Sequence, residues 1–328
     1  MSIDLVMDLG SENVKIYKCG EGLVFNEPAI ALVDRTADKL LLGETGYKAK
    51  KIAAETLERY TPVHPIKNAV ITDQEVAELM LCDFLEKINV RPTMKERLRI
   101  IALTACGLTF SDRKVFAGIL KNIGASRVYI VDGLFALYSY SEVSRGFFVD
   151  VGGAVANVAY ITEGGIVSGC HANIAGNAMN EEICNMVHSK YALSIGGRAA
   201  ERLKLSSGGL EPNIKQKFPV SGKDIVTGEL RSAEIAGSDI RSCIVVTLDK
   251  LVLLINSMLF SLPEKDYNFI CKNGIFLSGG TARLLALPEY LAERLKLKIC
   301  VVKDCEEAAV TGAARFYEEK GLLSDFTV

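Results

Sequence analysis

Polar and apolar positions along the chain fall into two rhythms, and each rhythm is used twice. Short apolar runs broken by turn residues predict strands at 3–8, 13–19 and about 22–33, with turns at Gly10 and at Gly20 to Gly22, and a further hairpin or strand in KLLLGETGYKAK at 39–50. The segment 72–88 then places apolar side chains at 76, 79, 80, 84, 85 and 88, a helical spacing with Thr72 or Asp73 as its cap. A strand at 99–106, a helix at 111–124 with Ser111 as N-cap and Gly124 as stop, and a strand at 127–132 make a βαβ unit. From residue 146 the plan repeats: three strands within 146–175, helices at 177–190 and 197–205, and a polar, glycine-rich excursion at 206–232. A helix at 238–260, a strand at 273–280, a helix from about 281 to 295, a strand at 298–303 and a last helix from Glu306 to Glu319 complete it. The pattern is that of a duplicated α/β domain.

Length supports the duplication, because 328 residues exceed the usual size of one core. Lys and Arg number 38 against 40 Asp and Glu, which excludes a nucleic-acid surface built on bulk charge. The nine cysteines are scattered, with no CxxC pair, and read as buried reduced thiols of a cytoplasmic protein. His64, His171 and His188 are isolated and give no metal-ligand spacing. The start, IDLVMDLG from Ile3, reads as a strand rather than a signal peptide. The most apolar stretch, at 244–260, carries Asp249 and Lys250 and reads as a buried amphipathic helix rather than a membrane span.

The repeated strand ends carry the candidate chemistry. MDLGSENVKIY at 7–17 and VDVGGAVANVAY at 149–160 each run an apolar strand into Asp, then through a Gly-bearing turn into the next strand. Such turns expose backbone N–H groups, and glycine lets a ligand approach the backbone. One such turn alone is usually only a hairpin. Two of them facing each other would grip a phosphate chain through Gly10, Ser11, Glu12 and Asn13 on one side and Gly152, Gly153 and Ala154 on the other, with Asp8 and Asp150 holding Mg²⁺ through water.

At these residues the chain resembles the actin-like ATPase superfamily, most closely its bacterial rod-shape cytoskeletal branch, the MreB type, from Ile3 to about Tyr317. DLGSEN resembles the family's DLGTAN; GLVFNEPAIALV at 22–33 and HPIKNAVITD at 64–73 are similar to two further family segments. AERLK at 200–204 resembles its adenosine-contacting helix, and LSGGTARL at 277–284 its adenosine loop. The resemblance implies two actin-like (ribonuclease H-like) domains, each a mixed five-stranded sheet flanked by helices. It sets the first at 1–141 plus 315–328 and the second at 142–314, with small insertions IB at about 30–75 and IIB at about 178–236. It also implies an ATP or ADP site in which Glu201 and Lys204 reach the ribose and base, and Gly279, Gly280 and Thr281 line the purine. A strand-to-helix turn at Gly279 and Gly280 and a surface ion pair at Glu201 and Lys204 are the plain alternatives.

Departures from the family pattern gather where hydrolysis would occur. Val155, Ala156 and Asn157 stand where its second phosphate turn has two hydroxyl residues and an acid, and Val14 where its first usually has Thr. Ala175, Asn177 and Asn180 replace a glycine and two acids. The match sets Gly133 at the position of the water-activating carboxylate, with Asp132 as the nearest substitute, although adjacent side chains at a strand end point apart. Glycine there also raises the prospect of a positive φ that would bar a side chain.

The resemblance therefore implies a nucleotide-binding, filament-forming cytoskeletal protein for cell shape or wall-synthesis organisation, with weak or absent ATP hydrolysis. Its partners would be copies of itself or a paralogue, and cell-shape or division proteins. The alternative is a non-hydrolysing scaffold that binds partners without nucleotide. A small-molecule kinase would need a carboxylate where Gly133 stands, and a chaperone-type ATPase would need a further C-terminal domain. The basic segment NVRPTMKERLR at 89–99 sets Arg91, Lys95, Arg97 and Arg99 beside Val90 and Met94, a composition suited either to an anionic membrane surface or to a solvated turn.

Overall fold

The first apolar alternation folds as a hairpin. β1 (Ser2–Leu9) and β2 (Asn13–Lys18) pair antiparallel, with Asp8 opposite Lys15, and β3 (Gly22–Pro28) adds to β2. In this computed structural model, which describes residues 2–34, 40–53, 59–91, 97–207, 209–211 and 215–320, the strand expected over 22–33 is two strands in different sheets. After Pro28 the chain turns back, the Ile30 N–H donating to the Pro28 carbonyl at 2.9 Å. It then enters β4 (Ala31–Asp34), which pairs with β5 (Leu41–Thr45) and β6 (Thr61–Val63). Of the hairpin expected at 39–50, only β5 is strand. Gly46, at φ +63°, turns the chain into α1 (Gly46–Ile52).

β7 (Ile66–Lys67) and β8 (Val70–Ile71) form a tight hairpin whose two turn residues, Asn68 and Ala69, both have positive φ, as the mirror-image turn requires. α2 (Gln74–Lys87) is capped by Asp73, whose carboxylate accepts from the Val76 N–H at 3.1 Å. β9 (Arg97–Thr104) runs parallel to β1 and to β10 (Ala125–Asp132), with α3 (Phe110–Asn122) crossing over. The cap of α3 is Thr109 rather than Ser111: Thr109 is still extended, and its hydroxyl accepts from the Asp112 N–H at 3.2 Å. Gly124, at φ +102°, follows the end of α3 as expected. α4 (Gly133–Tyr140) comes next.

The second round begins with β11 (Arg145–Val151), β12 (Ala156–Thr162) and β13 (Gly165–Ala172), then α5 (Gly176–Tyr191), β14 (Leu193–Ser194) and α6 (Gly197–Ser206). The excursion expected at 206–232 contains regular structure, since β15 (Lys217–Asp224) and β16 (Leu230–Ala236) pair antiparallel. Only Phe218 and Val220 of β15 point inward, and Pro219 lies beyond the reach of the two-residue β14, so the alternation is short and interrupted. α7 (Gly237–Ser261), α8 (Glu264–Asn273), β17 (Ile275–Ser278), a 3₁₀ turn at Gly280–Arg283, α9 (Leu287–Leu295) and β18 (Ile299–Val301) follow, and α10 (Ala308–Lys320) closes the described chain. α8 has no counterpart in the sequence expectation. The helix expected from about 281 is broken, because Ala286, at φ +62°, caps α9.

The two large sheets have the same strand order, β10-β9-β1-β2-β3 and β18-β17-β11-β12-β13. In both, the first strand of the meander is parallel to the strand beside it, β9 or β17. The chain divides into two units, Met1–Arg145 with Ile161–Ile166 and Glu307–Val328, and Gly146–Tyr160 with Val167–Glu306. In the second, Val149, Val158, Ile183, Leu248 and Leu277 are fully buried in one cluster joining sheet and helices. α7 contributes Ile240, Ile244, Leu251 and Ile255 to that core and leaves Val246, Leu253 and Phe260 exposed. In the first unit α10 lies so close to α4 that a Cβ on Gly312 would sit 2.2 Å from the Ala136 carbonyl oxygen.

All nine cysteines are free, but only Cys106 and Cys243 are buried. Cys82 and Cys271 lie exposed on α2 and α8, because an amphipathic helix has an outer face whatever its thiol content.

Candidate functional site

The first turn, Gly10 to Glu12, is tightly built. A Cβ on Gly10 would lie 2.7 Å from the Asn13 carbonyl oxygen, so this position needs glycine for close backbone approach. The turn is pinned from outside: the Ser11 hydroxyl accepts from the Ala69 N–H at 3.2 Å, and the Glu12 carbonyl from the Ala29 N–H at 2.8 Å. The Asn13 side-chain amide donates to Asn26 at 2.7 Å, so it belongs to the scaffold of the turn. Asp8 is paired with Lys15, Nζ to Oδ2 3.2 Å, across the hairpin.

The second turn repeats that geometry in its own unit. The Gly152 N–H donates to the Val155 carbonyl at 3.0 Å, and a Cβ on Gly152 would meet the same oxygen at 3.3 Å. Its carbonyls are engaged by the start of α5: Gly176 N–H donates to Gly152 and Asn177 N–H to Gly153, at 3.3 and 2.7 Å. These two amides are therefore used inside the protein, and α5, which has no side-chain cap, is capped by the turn itself. Ala154 and Asn157 are buried.

Gly176 is the point at which this half of the site converges. A Cβ there would meet the Gly153 carbonyl oxygen and the Lys204 ammonium at 3.3 Å and the Thr281 hydroxyl at 3.4 Å. Lys204, buried on α6, donates to the Gly176 carbonyl at 3.0 Å, and Thr281 donates to the Gly152 carbonyl at 2.8 Å. The structure thus brings Gly152, Gly153, Lys204 and Thr281 together, with Glu201 half-buried one turn earlier on α6. The sequence reading did not single out Gly176; its signal, a glycine opening a helix directly after a strand, was present in IAGN.

Gly279 has a backbone requirement of its own. At φ +90° its missing Cβ would lie 2.3 Å from the Val151 carbonyl oxygen, and its N–H donates to the Cys305 carbonyl at 3.0 Å. Glycine is therefore required there by the close approach of β17 to the end of β11, independently of any purine. Gly280 is exposed, with only Glu306 near its Cβ position.

Gly133 opens α4 with a φ outside the positive range, and a Cβ would meet only the Thr104 carbonyl oxygen, at 3.4 Å. The position accepts a side chain but carries none. Asp132 is buried and caps α4, accepting from the Leu134 N–H at 2.9 Å. Burial raises its carboxyl above the ordinary aspartate value, while hydrogen bonds from Leu134 and Cys106 pull it down. A raised folded-state value means the fold favours the protonated form, so ionised Asp132 costs stability at neutral pH. Asp132→Asn, which keeps the capping oxygen, should therefore be at least as stable as wild type at pH 7, its advantage shrinking as pH falls through the raised folded-state value and levelling off below the ordinary value of 3.8. Asp132→Ala, which loses the cap, should lose about 1 kcal/mol. Urea unfolding of both variants at several pH values checks this.

The basic segment at 89–99 is only partly within the described residues, since Met94 and Lys95 lie outside them. Val90 is buried, and Arg99 donates to Asp4 and Ser2 and lies over the Tyr317 ring. One cation and one apolar anchor are thereby withdrawn from the membrane reading.

Among the described residues no three His, Cys, Asp or Glu side chains gather as a metal-holding group. Asp8 and Asp150 are each half-buried near the end of the first meander strand of their own unit.

The MreB/Mbl protein family model matches residues 2–324. The chain is 28% identical over 315 residues to the cell shape-determining protein Mbl of Bacillus subtilis (strain 168), covering 94% of each. It is 27% identical over 325 residues to the cell shape-determining protein MreB of Escherichia coli (strain K12), covering 97% of this chain and 94% of that one. The crystal structure of MreB5 of Spiroplasma citri bound to ADP superposes with a TM-score of 0.89 at 24% identity over 98% of each chain. That of the same protein bound to AMPPNP gives 0.90 at 24% identity, over 98% of this chain and 99% of the other. The MamK double helical filament gives 0.80 at 15% identity, over 97% of this chain and 99% of the other.

Proposed function

The chain belongs to the MreB/Mbl protein family, and from that premise we propose that it is an actin-type cytoskeletal protein that holds nucleotide and forms filaments while hydrolysing ATP weakly or not at all. Its task is cell shape or the organisation of wall synthesis, in the cytoplasm, with further copies of itself or a paralogue as its first partner and cell-shape or division proteins beyond. Relatives matched end to end are named as cell shape-determining proteins, one structural relative was crystallised with ADP and with AMPPNP, and another is a double helical filament.

The observation that carries the nucleotide reading is the doubled turn: two sheets of the same strand order each set an Asp near the end of the first meander strand and, two residues on, a glycine packed against the turn backbone, tightly at Gly10 and less so at Gly152. In this reading the turn amides bind the phosphates, Lys204 and Thr281 hold the second turn against the nucleoside side, and Glu201 meets the ribose. Gly279 keeps β17 against β11. Mg²⁺, when bound, neutralises phosphate charge, and Asp8 and Asp150 order its water shell. Slow turnover follows from Gly133, which leaves no side chain to orient a water, and from Asp132, whose carboxylate is buried as a cap.

Titration with labelled ATP in Mg²⁺ tests the site. Asp8→Ala and Asp150→Ala should each weaken binding about tenfold, the value of one interaction with a charged group. If wild type binds ATP and neither change alters its affinity, the two-turn site is wrong. If wild type binds no nucleotide, the scaffold alternative replaces it.

A further inference from the structure

The strand order of the second large sheet leaves β18 at its edge. In a parallel pair, alternate residues turn their backbone N–H and C=O groups toward the neighbouring strand. On β18 the even positions do so: the Lys298 carbonyl accepts from the Ile275 N–H, and the Val302 N–H donates to the Leu277 carbonyl, both at 2.9 Å. Ile299 and Val301 therefore turn their backbone groups outward, where no further strand pairs with them among the described residues. The Val301 side chain is also 47% exposed. The sheet thus ends in an open edge with an apolar middle.

Positive charge frames that edge. The run from Lys296 to Lys303, KLKICVVK, holds three lysines and no acid. Lys272, in the last turn of α8, adds a fourth: it lies two residues before Gly274, whose Cβ, if present, would meet the Cβ of Lys298 at 3.0 Å. All four lysines are exposed, and among the described residues none is in an ion pair. Lysines on an edge strand deter pairing with a like edge, such as that of another copy of this chain. The same charges attract a strand of opposite sign, so one device serves both exclusion and selection.

We propose that β18 is a docking edge for an acidic, extended segment of a partner protein, which joins the sheet as an added strand. Its backbone pairs with Ile299 and Val301, apolar or β-branched residues lie beside Val301, and Asp or Glu at its two ends meet Lys298 with Lys272, and Lys303. From Lys298 to Lys303 the strand covers about 17 Å at roughly 3.3 Å per residue, so the segment is about six residues long. The surface lies wholly in the second unit and shares no residue with the nucleotide reading.

The test titrates the full chain against a labelled, end-capped probe peptide, Glu-Glu-Val-Thr-Val-Glu-Glu, and its counterpart with Lys for Glu, by fluorescence anisotropy. Wild type should bind the acidic probe, bind the basic one at least about tenfold more weakly, and lose affinity as salt is raised. Lys298→Glu with Lys303→Glu should weaken the acidic probe about tenfold or more. Val301→Pro removes an outward N–H, a change that edge strands tolerate, and should weaken the probe by a similar factor with the thermal melt preserved. Hydrogen exchange at Ile299 and Val301 should slow when the probe binds, and this decides the matter if the proline variant fails to fold. Failure of the acidic probe to bind, or equal binding of both peptides, would overturn the proposal. Binding that survives Val301→Pro without slowed exchange would overturn strand addition. Anionic vesicles that bind wild type but not the charge-reversed variant, with no binding of the peptide, would reassign the lysines to a membrane surface and overturn it as well.

Discussion

Gly133→Glu is expected to raise ATP turnover, toward the roughly 10²- to 10⁴-fold that a positioned base supplies. Three features of the first unit favour this. Gly133 is the first residue of α4, its φ is not positive, and its Cβ direction is clear apart from the Thr104 carbonyl oxygen at 3.4 Å. A carboxylate in the first turn of a helix is also stabilised by the helix dipole. The gain should stay below the upper figure because Val155 and Ala156 remove hydroxyl donors from the second turn. Replacing glycine also improves helix propensity, by up to about 1 kcal/mol, so Gly133→Gln is the control. Gln should reproduce any gain in thermal stability without the gain in phosphate release. Equal turnover of the Glu and Gln variants would mean that this position does not supply the missing base.

Gly279→Ala is expected to be the most disruptive of the small substitutions, costing about 3 kcal/mol or more of stability. Two terms add: a positive φ of 90°, costly for any residue with a side chain, and an overlap at 2.3 Å with the backbone oxygen of Val151. Backbone cannot step aside as a side-chain tip can. Relief requires β17 to move away from β11, opening the register in which Ser278 faces Asp150, and with it the bond from Thr281 to the Gly152 carbonyl. Denaturant unfolding should show the loss, and nucleotide affinity should fall with it. Gly280→Ala, beside it but exposed and unobstructed, should change stability little. Similar costs at the two positions would contradict the packing account.

Most of the architecture was legible because the two sheets write their strands as apolar runs and their crossovers as amphipathic helices. The first two strands of the meander, the βαβ crossover and α7 lie within a few residues of their expected ends, whereas the strand expected over 22–33 splits at Pro28 into β3 and β4. What failed was local. Thr109 rather than Ser111 caps α3 because both can serve and only backbone geometry chooses between them. β15 was hidden because two inward residues and a proline make too short an alternation. At the site, the Asp-Gly turns were visible as repeated motifs, whereas the convergence on Gly176 was not, since it depends on α5, α6 and the loop after β17 meeting in space. The open edge at β18 was equally invisible, because strand order appears only when strands pair. Gly279, noticed as part of a ligand motif, is also required by the backbone that builds the motif.

The central claim is that this chain holds ATP in an actin-type site that lacks a positioned base. Single-turnover measurement with γ-labelled ATP, on purified wild type under conditions that sediment filaments, tests it most directly. The account predicts that label pellets with the protein as intact ATP and that phosphate appears only slowly. Rapid phosphate release, matching a relative with a carboxylate at the position of Gly133 and insensitive to Asp132→Asn, would contradict it.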